Sequence, residues 1–328
     1  MNSFIMNRRW MPRLLTLAAL AITTMPGALF AQAPPAYTMV GRIPGPANLI
    51  EIDGSRGYLV GGKTLTVLDL SNPAAPQKLG SYSFPEKIWG IRVVGQTVYC
   101  AADFYGLGIV DVSNPKSPSL RGSIKLPGQA KNVALVGTTA LVADHMSGLD
   151  IIDVSNAAKP IKKESFFLEG YARDVASIGS MAYAIDAPAG LYTFDLSKQG
   201  PVEPVASEQS ARAPASIELS KGLAVLVGGG MLQVYDLSKP MAPVKGPTLK
   251  TPSGQPVRAT LLGSRVFVAD RRDGLQVVDL STPSAPSFLP GFKSPQPARD
   301  VAATDQYVYL VVGAAGEDEG EVLVLKRS

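Results

Sequence analysis

One phrase recurs along this chain at an almost fixed interval. Gly106–Pro118 reads GLGIVDVSNPKSP, and near-copies run TLTVLDLSNPAAP to Pro76, GLDIIDVSNAAKP to Pro160, GLYTFDLSKQGP to Pro201, MLQVYDLSKPMAP to Pro243 and GLQVVDLSTPSAP to Pro286. The aspartates that mark the copies, Asp69, Asp111, Asp153, Asp195, Asp236 and Asp279, are separated by 42, 42, 42, 41 and 43 residues. A period held that closely requires one supersecondary unit repeated in a stack or a ring. A weaker seventh copy, EVLVLKRS, ends the sequence with Lys326 at the aspartate position.

Each copy reads as a strand running into a turn. Leu107–Val112 mixes large apolar and β-branched residues, as a strand of about five or six residues does. The Asp-x-Ser-Asn-Pro that follows ends it, because those side chains bond nearby backbone groups and proline donates nothing to a ladder. The marker aspartates are therefore turn formers first. The 42-residue unit resolves into four short strands, for example 132–136, 140–144, 149–154 and 161–166. Four strands every 40 to 45 residues is the spacing of a propeller blade. The expected fold is all-β, a seven-bladed β-propeller of four-stranded antiparallel blades. The last repeat lacks a fourth strand, and Tyr37–Gly45, YTMVGRIPG, resembles the fourth strand LGSYSFP. Pairing of that segment into the final blade would close the ring without an exposed edge.

Residues 1–31 read as an export signal: Arg8, Arg9 and Arg13 precede the apolar run Leu14–Ile22, and Ala31 marks a small-residue cleavage point. One domain, 32–328, is expected to remain, as a monomer in the periplasm or secreted, without membrane insertion. Losing the signal removes three arginines and no acids, so 31 basic residues fall to 28 against 27 acidic ones. A near-neutral chain lacks the basic stripe that nucleic acid demands. Cys100 is the single cysteine, which excludes an internal disulfide and makes it a buried small hydrophobe by default.

The phrases GIVDVSNP, IIDVSNAAKP and VVDLSTPSAP, with VFVADRRDGL, resemble the LVIVD-repeat family of exported bacterial and archaeal propellers. The likeness covers residues 40–328. It implies a β-propeller outside the cytoplasm and no established activity.

Inventory narrows the chemistry. His145 is the only histidine, so multi-histidine zinc sites and a cysteine–histidine pair are excluded, and no Gly-x-Ser-x-Gly elbow accompanies it. No catalytic residue, metal or cofactor is assigned. The loops entering each first strand and joining second to third strands should share one end of the ring. They carry Trp89, Lys131, Tyr171, Arg173, Arg258 and Arg299, and Phe104, Tyr105, His145, Arg271 and Arg272. These eleven are the candidate contacts for a protein, peptide or polar ligand. Asp174, Asp300, Asp144, Asp186 and Asp270 are expected to pair with arginines between neighbouring blades. Glu317–Glu319 could collect a hard cation, although a solvated hairpin tip explains it better. The alternative function is a carboxylate-based hydrolase or lyase on sugars or lactones. It would need two axial carboxylates without a cationic neighbour, one with a strongly raised pKa.

Overall fold

In all six full copies of the phrase the marker aspartate ends the third strand, and its carboxylate accepts the backbone N–H two residues on. Asp69, Asp111, Asp153, Asp195, Asp236 and Asp279 take the N–H of Ser71, Ser113, Ser155, Ser197, Ser238 and Ser281 at 2.7–3.0 Å. Hydrogen bonds from the serine side chain and backbone hold Asp153 down at about 2 and lower Asp69, Asp111, Asp195 and Asp279 as well. The recurring aspartate is thus spent on the turn.

The computed structural model describes residues 36–328 except 188–189, 199–201, 210–212, 221 and 315–319. The export signal read over 1–31 and the acidic stretch Glu317–Glu319 lie outside the described residues. The described strands form seven four-stranded antiparallel sheets, six of them in simple sequence order. No described helix is long and apolar enough to cross a membrane. The innermost strand of each sheet packs against the innermost strands of the sheets before and after it, and the seventh returns to the first. The array is therefore a closed ring, a seven-bladed propeller.

Closure uses the early segment. Tyr37–Ile43 is the outer strand of blade 7, antiparallel to Glu321–Arg327, with Tyr37 opposite Arg327 and Ile43 opposite Val322. A register shift between Met39 and Gly41 marks a bulge there. Comparable shifts recur in the fourth strands of the other blades. Glycine at this bend has a second use. A Cβ on Gly41, Gly80 or Gly122 would lie 2.9, 2.6 or 2.2 Å from a backbone oxygen of Pro73, Lys116 or Ala157 respectively. Each lies just after the Asp-x-Ser-Asn turn of the next blade. The repeated turn and the repeated glycine are the two halves of one seam, and only a residue without a side chain lets the backbones approach so closely.

Seven apolar clusters fill the seven seams. One of them packs Val60, Leu65 and Val67 of blade 1 against Ile91, Val98, Cys100 and Val110 of blade 2. The last, between blades 7 and 1, joins Ile43, Tyr309 and Val324 to Leu59 and Leu68. Every second and third strand has both faces buried between neighbours, so these strands read as continuous apolar runs. Cys100 is fully buried in the first cluster, and burial drives its thiol pKa far above the ordinary value. Iodoacetamide is therefore expected to leave the folded protein unlabelled and to react only on unfolding. Labelling at the rate of a free thiol under native conditions would contradict this packing.

Candidate functional site

Aligned by register, the inner strands place seven residues at one level around the axis: Leu49, Gly90, Asn132, Asp174, Ser216, Arg258 and Asp300. Only three of the seven positions carry charge, and they converge. The Arg258 guanidinium lies 3.9 Å from Asp174 and donates to the Trp89 carbonyl at 3.4 Å. Asp174 also accepts the Ile217 N–H at 3.0 Å and a hydrogen bond from the Asn132 amide, and Asp300 accepts the Ile50 N–H at 2.8 Å. Asp174 and Asp300 therefore do tie neighbouring blades together, but through backbone N–H groups, while Arg258 reaches Asp174 from two blades away.

Two residues further along each inner strand stand Glu51, Arg92 and Glu218, where three other blades carry Ala134, Ala176 and Ala302. Glu51 accepts the Val93 N–H at 3.2 Å and pairs with Arg92 at 3.4 Å. Glu218 accepts no hydrogen bond among the described residues. Burial pushes its carboxyl up to about 8, against the pull of Arg92 and Arg258. Burial likewise raises Asp300 to about 6 against Arg258. These groups line a small axial cavity of ≈ 230 Å³ with Thr260.

Above it opens a funnel of ≈ 600 Å³, and Arg258 lines both spaces. Seven sequence candidates meet in this funnel: Trp89, Lys131, His145, Arg173, Arg258, Arg271 and Arg299. Lys87 and Asn48 join them. The Trp89 ring carries the Lys87 ammonium at 4.8 Å and the Lys131 ammonium at 4.3 Å from its centre, each a cation–π contact. Arg299 is held by the Gly313 carbonyl at 3.2 Å and the Ala47 carbonyl at 3.5 Å. Tyr171 is outside the lining but stacks on His145 with ring centres 4.7 Å apart. His145 is a half-buried residue at φ 49°. Burial, Lys131 and Arg173 lower its pKa, so it is neutral at physiological pH.

Three candidates fall elsewhere. Tyr105 packs edge-on against Phe84 at 5.4 Å and donates to Ser123, beneath the loop. Phe104 is exposed and outside the funnel, and Arg272 gives its N–H to Asp270 and its carbonyl to Lys293. In loops of equal length, Phe104 and Arg272 stand at the position that the exposed Met146 holds in blade 3. Asp103 at φ 42° takes the place that His145 takes in blade 3, each bridging to the chain entering the next inner strand.

Asp144, Asp186 and Asp270 do not pair between blades as expected. Asp144 and Asp186 accept the N–H of Gly128 and Gly170 at 2.7 Å, on the segments leading into their own blades. Asp270 accepts the N–H of Arg272 and Asp273. Asp144 has an additional neighbour in Asp150, which Lys162 pairs at 2.6 Å, and burial raises Asp144 to about 7.

The fold and this arrangement define a seven-bladed propeller with one concave, cation-lined end. Models of the LVIVD repeat match residues 44–83, 87–125, 127–167 and 259–291. The chain belongs to the LVIVD-repeat family. Among solved structures, the β-propeller domain of Myceliophteria thermophila Cps50 (Swd1) superposes with a TM-score of 0.73 at 10% identity, covering 89% of this chain and 100% of that one. The computationally designed Ika8 protein superposes with a TM-score of 0.63 at 8% identity, covering 88% and 99%. At such identities the likeness is one of fold. No curated protein matches the sequence.

Proposed function

We propose that this chain is an extracytoplasmic, non-catalytic binding module that takes a polar ligand or partner at the funnel end of the ring. The observation that carries the reading is asymmetry. Seams must make the same demand of every blade, yet the position that carries Trp89, Lys131, Arg173 and Arg299 in four blades carries Asn48, Ala215 and Val257 in the other three, and all seven line one cavity with Arg271. Such convergence of unlike side chains on a concave surface is how ligand sites are built on symmetric scaffolds. The basic, apolar leader read at residues 1–31 supports the extracytoplasmic part.

The hydrolase or lyase reading requires axial carboxylates free of cationic neighbours. Glu218 and Asp300 do have raised pKa values, but Arg258 acts on both and Arg92 on Glu218. That pattern supports binding.

The test is co-purification of the full chain from its natural host, comparing it with Arg173→Gln/Arg271→Gln and with Arg272→Gln, whose side chain is off the cavity. A species captured by the parent and by Arg272→Gln but lost from the double variant supports the reading. Equal capture by all three removes the funnel as the site.

A further inference from the structure

We infer that the funnel ligand is a small molecule carrying several negative charges, with carboxylate, phosphate or sulfate groups, recognised by charge and not by ring stacking. The inference rests on the funnel being the binding site. Lys87, Lys131, Arg173, Arg258, Arg271 and Arg299 all line the cavity, and none of the described lining residues is an acid. Arg258 is already matched by Asp174, Asp300 and Glu218. Lys131, Arg173 and Arg271, in contrast, have no carboxylate within ion-pair distance among the described residues. Three cations without an ion-pair partner beside a low-dielectric wall raise the local potential and draw oxyanions.

The crowding is visible in Lys131, whose pKa is lowered by burial and, further, by Arg173 and Lys87, while Asp103 and Asp144 act against the shift. An anion placed among these groups removes the repulsion and forms charge-assisted hydrogen bonds with the planar guanidinium of Arg173 or Arg271. Trp89 would ordinarily suggest stacking on a sugar or base. Both lysine ammoniums already lie over its ring, so its role is to hold them apart and aimed. The ≈ 600 Å³ of the funnel is the size of a small-molecule pocket.

Isothermal calorimetry on the full folded chain, at low salt, tests this with citrate and tripolyphosphate as probes. Acetate, glucose, spermidine and a hexaglutamate peptide serve as comparisons. Citrate or tripolyphosphate is expected to bind at one site at least about tenfold tighter than acetate, with affinity falling as salt is added. Lys131→Gln/Arg173→Gln should weaken that binding about tenfold or more at an unchanged melting temperature, and Arg272→Gln should leave it intact. The inference is overturned if neither polyanion binds more tightly than acetate, or if the double variant binds as well as the parent. Binding of hexaglutamate without either small anion overturns it in favour of an acidic peptide and leaves the binding-module reading standing. Silence from every probe, with host-derived capture still dependent on Arg173 and Arg271, likewise overturns this inference alone. Loss of that capture dependence as well would bring down both.

Discussion

A chain lacking residues 36–43 is expected to melt on the order of 10 °C below the parent and to self-associate as it is concentrated. Tyr37 and Ile43 are both buried, and losing such side chains from the core costs about 1.5–3 kcal/mol each. For a domain of this size each kcal/mol moves the midpoint by roughly 2–4 °C. The second effect is topological. Without the early strand, Glu321–Arg327 becomes an edge whose Val322, Leu323, Val324 and Leu325 form an unbroken apolar run. Exposed edges of that kind pair with other copies. Differential scanning calorimetry and light scattering over a concentration series read the two effects. A melt and scattering profile identical to the parent's would show that the ring does not depend on this strand.

Arg258→Met should destabilise the protein by about 3 kcal/mol at pH 8.5, and most of that loss should vanish by pH 5. Breaking a buried pair costs about 3–5 kcal/mol, and the low end applies because 28% of the Arg258 side chain remains accessible. The pH dependence follows from the neighbours. Glu218 at about 8 and Asp300 at about 6 lie above their ordinary 4.5 and 3.8, so the folded protein holds protons that the unfolded chain releases. Stability therefore falls as pH rises through roughly 4 to 8. Removing the guanidinium withdraws the attraction that offsets burial, so the carboxyls titrate higher still and the decline with pH steepens. Arg92, Asp174 and Asp300 also act on Glu218, and Glu218→Gln in the Arg258→Met background removes the buried charge left uncompensated, so it should recover part of the loss at pH 8.5. Urea denaturation across pH would detect it. An equal deficit at pH 5 and pH 8.5 would mean that Arg258 matters for packing and not for charge.

The 42-residue spacing of six aspartates marks the blade because turn chemistry repeats in sequence as faithfully as in space, while the short apolar runs give its four strands and the likeness of Tyr37–Gly45 to a fourth strand gives the closing segment. The axial charges were harder. Glu51, Arg92 and Glu218 sit in the middle of short strands, and their inward direction has no meaning until the ring closes. The available signal was that the equivalent positions in three other blades are Ala134, Ala176 and Ala302. Lys87 belongs to a connecting loop, where no strand alternation marks which side chains turn toward the axis. Tyr105 and Phe104 were grouped with the rim on loop position alone. Tyr105 stands where blade 3 has Ser147, in a loop of the same length, and its turn inward onto Phe84 is set by packing that loop position does not express.

The antiparallel clasp between Tyr37–Ile43 and Glu321–Arg327 has a mechanical consequence. Tyr37 and Arg327 are partners at one border of the sheet, and the Ser328 N–H still bonds the Ala36 carbonyl at 3.1 Å. A force applied between those two residues loads the first bonded pair alone, then the next, so the clasp peels like a zipper instead of shearing as a block. The strand that closes the ring is also where tension between Ala36 and Ser328 would open it first.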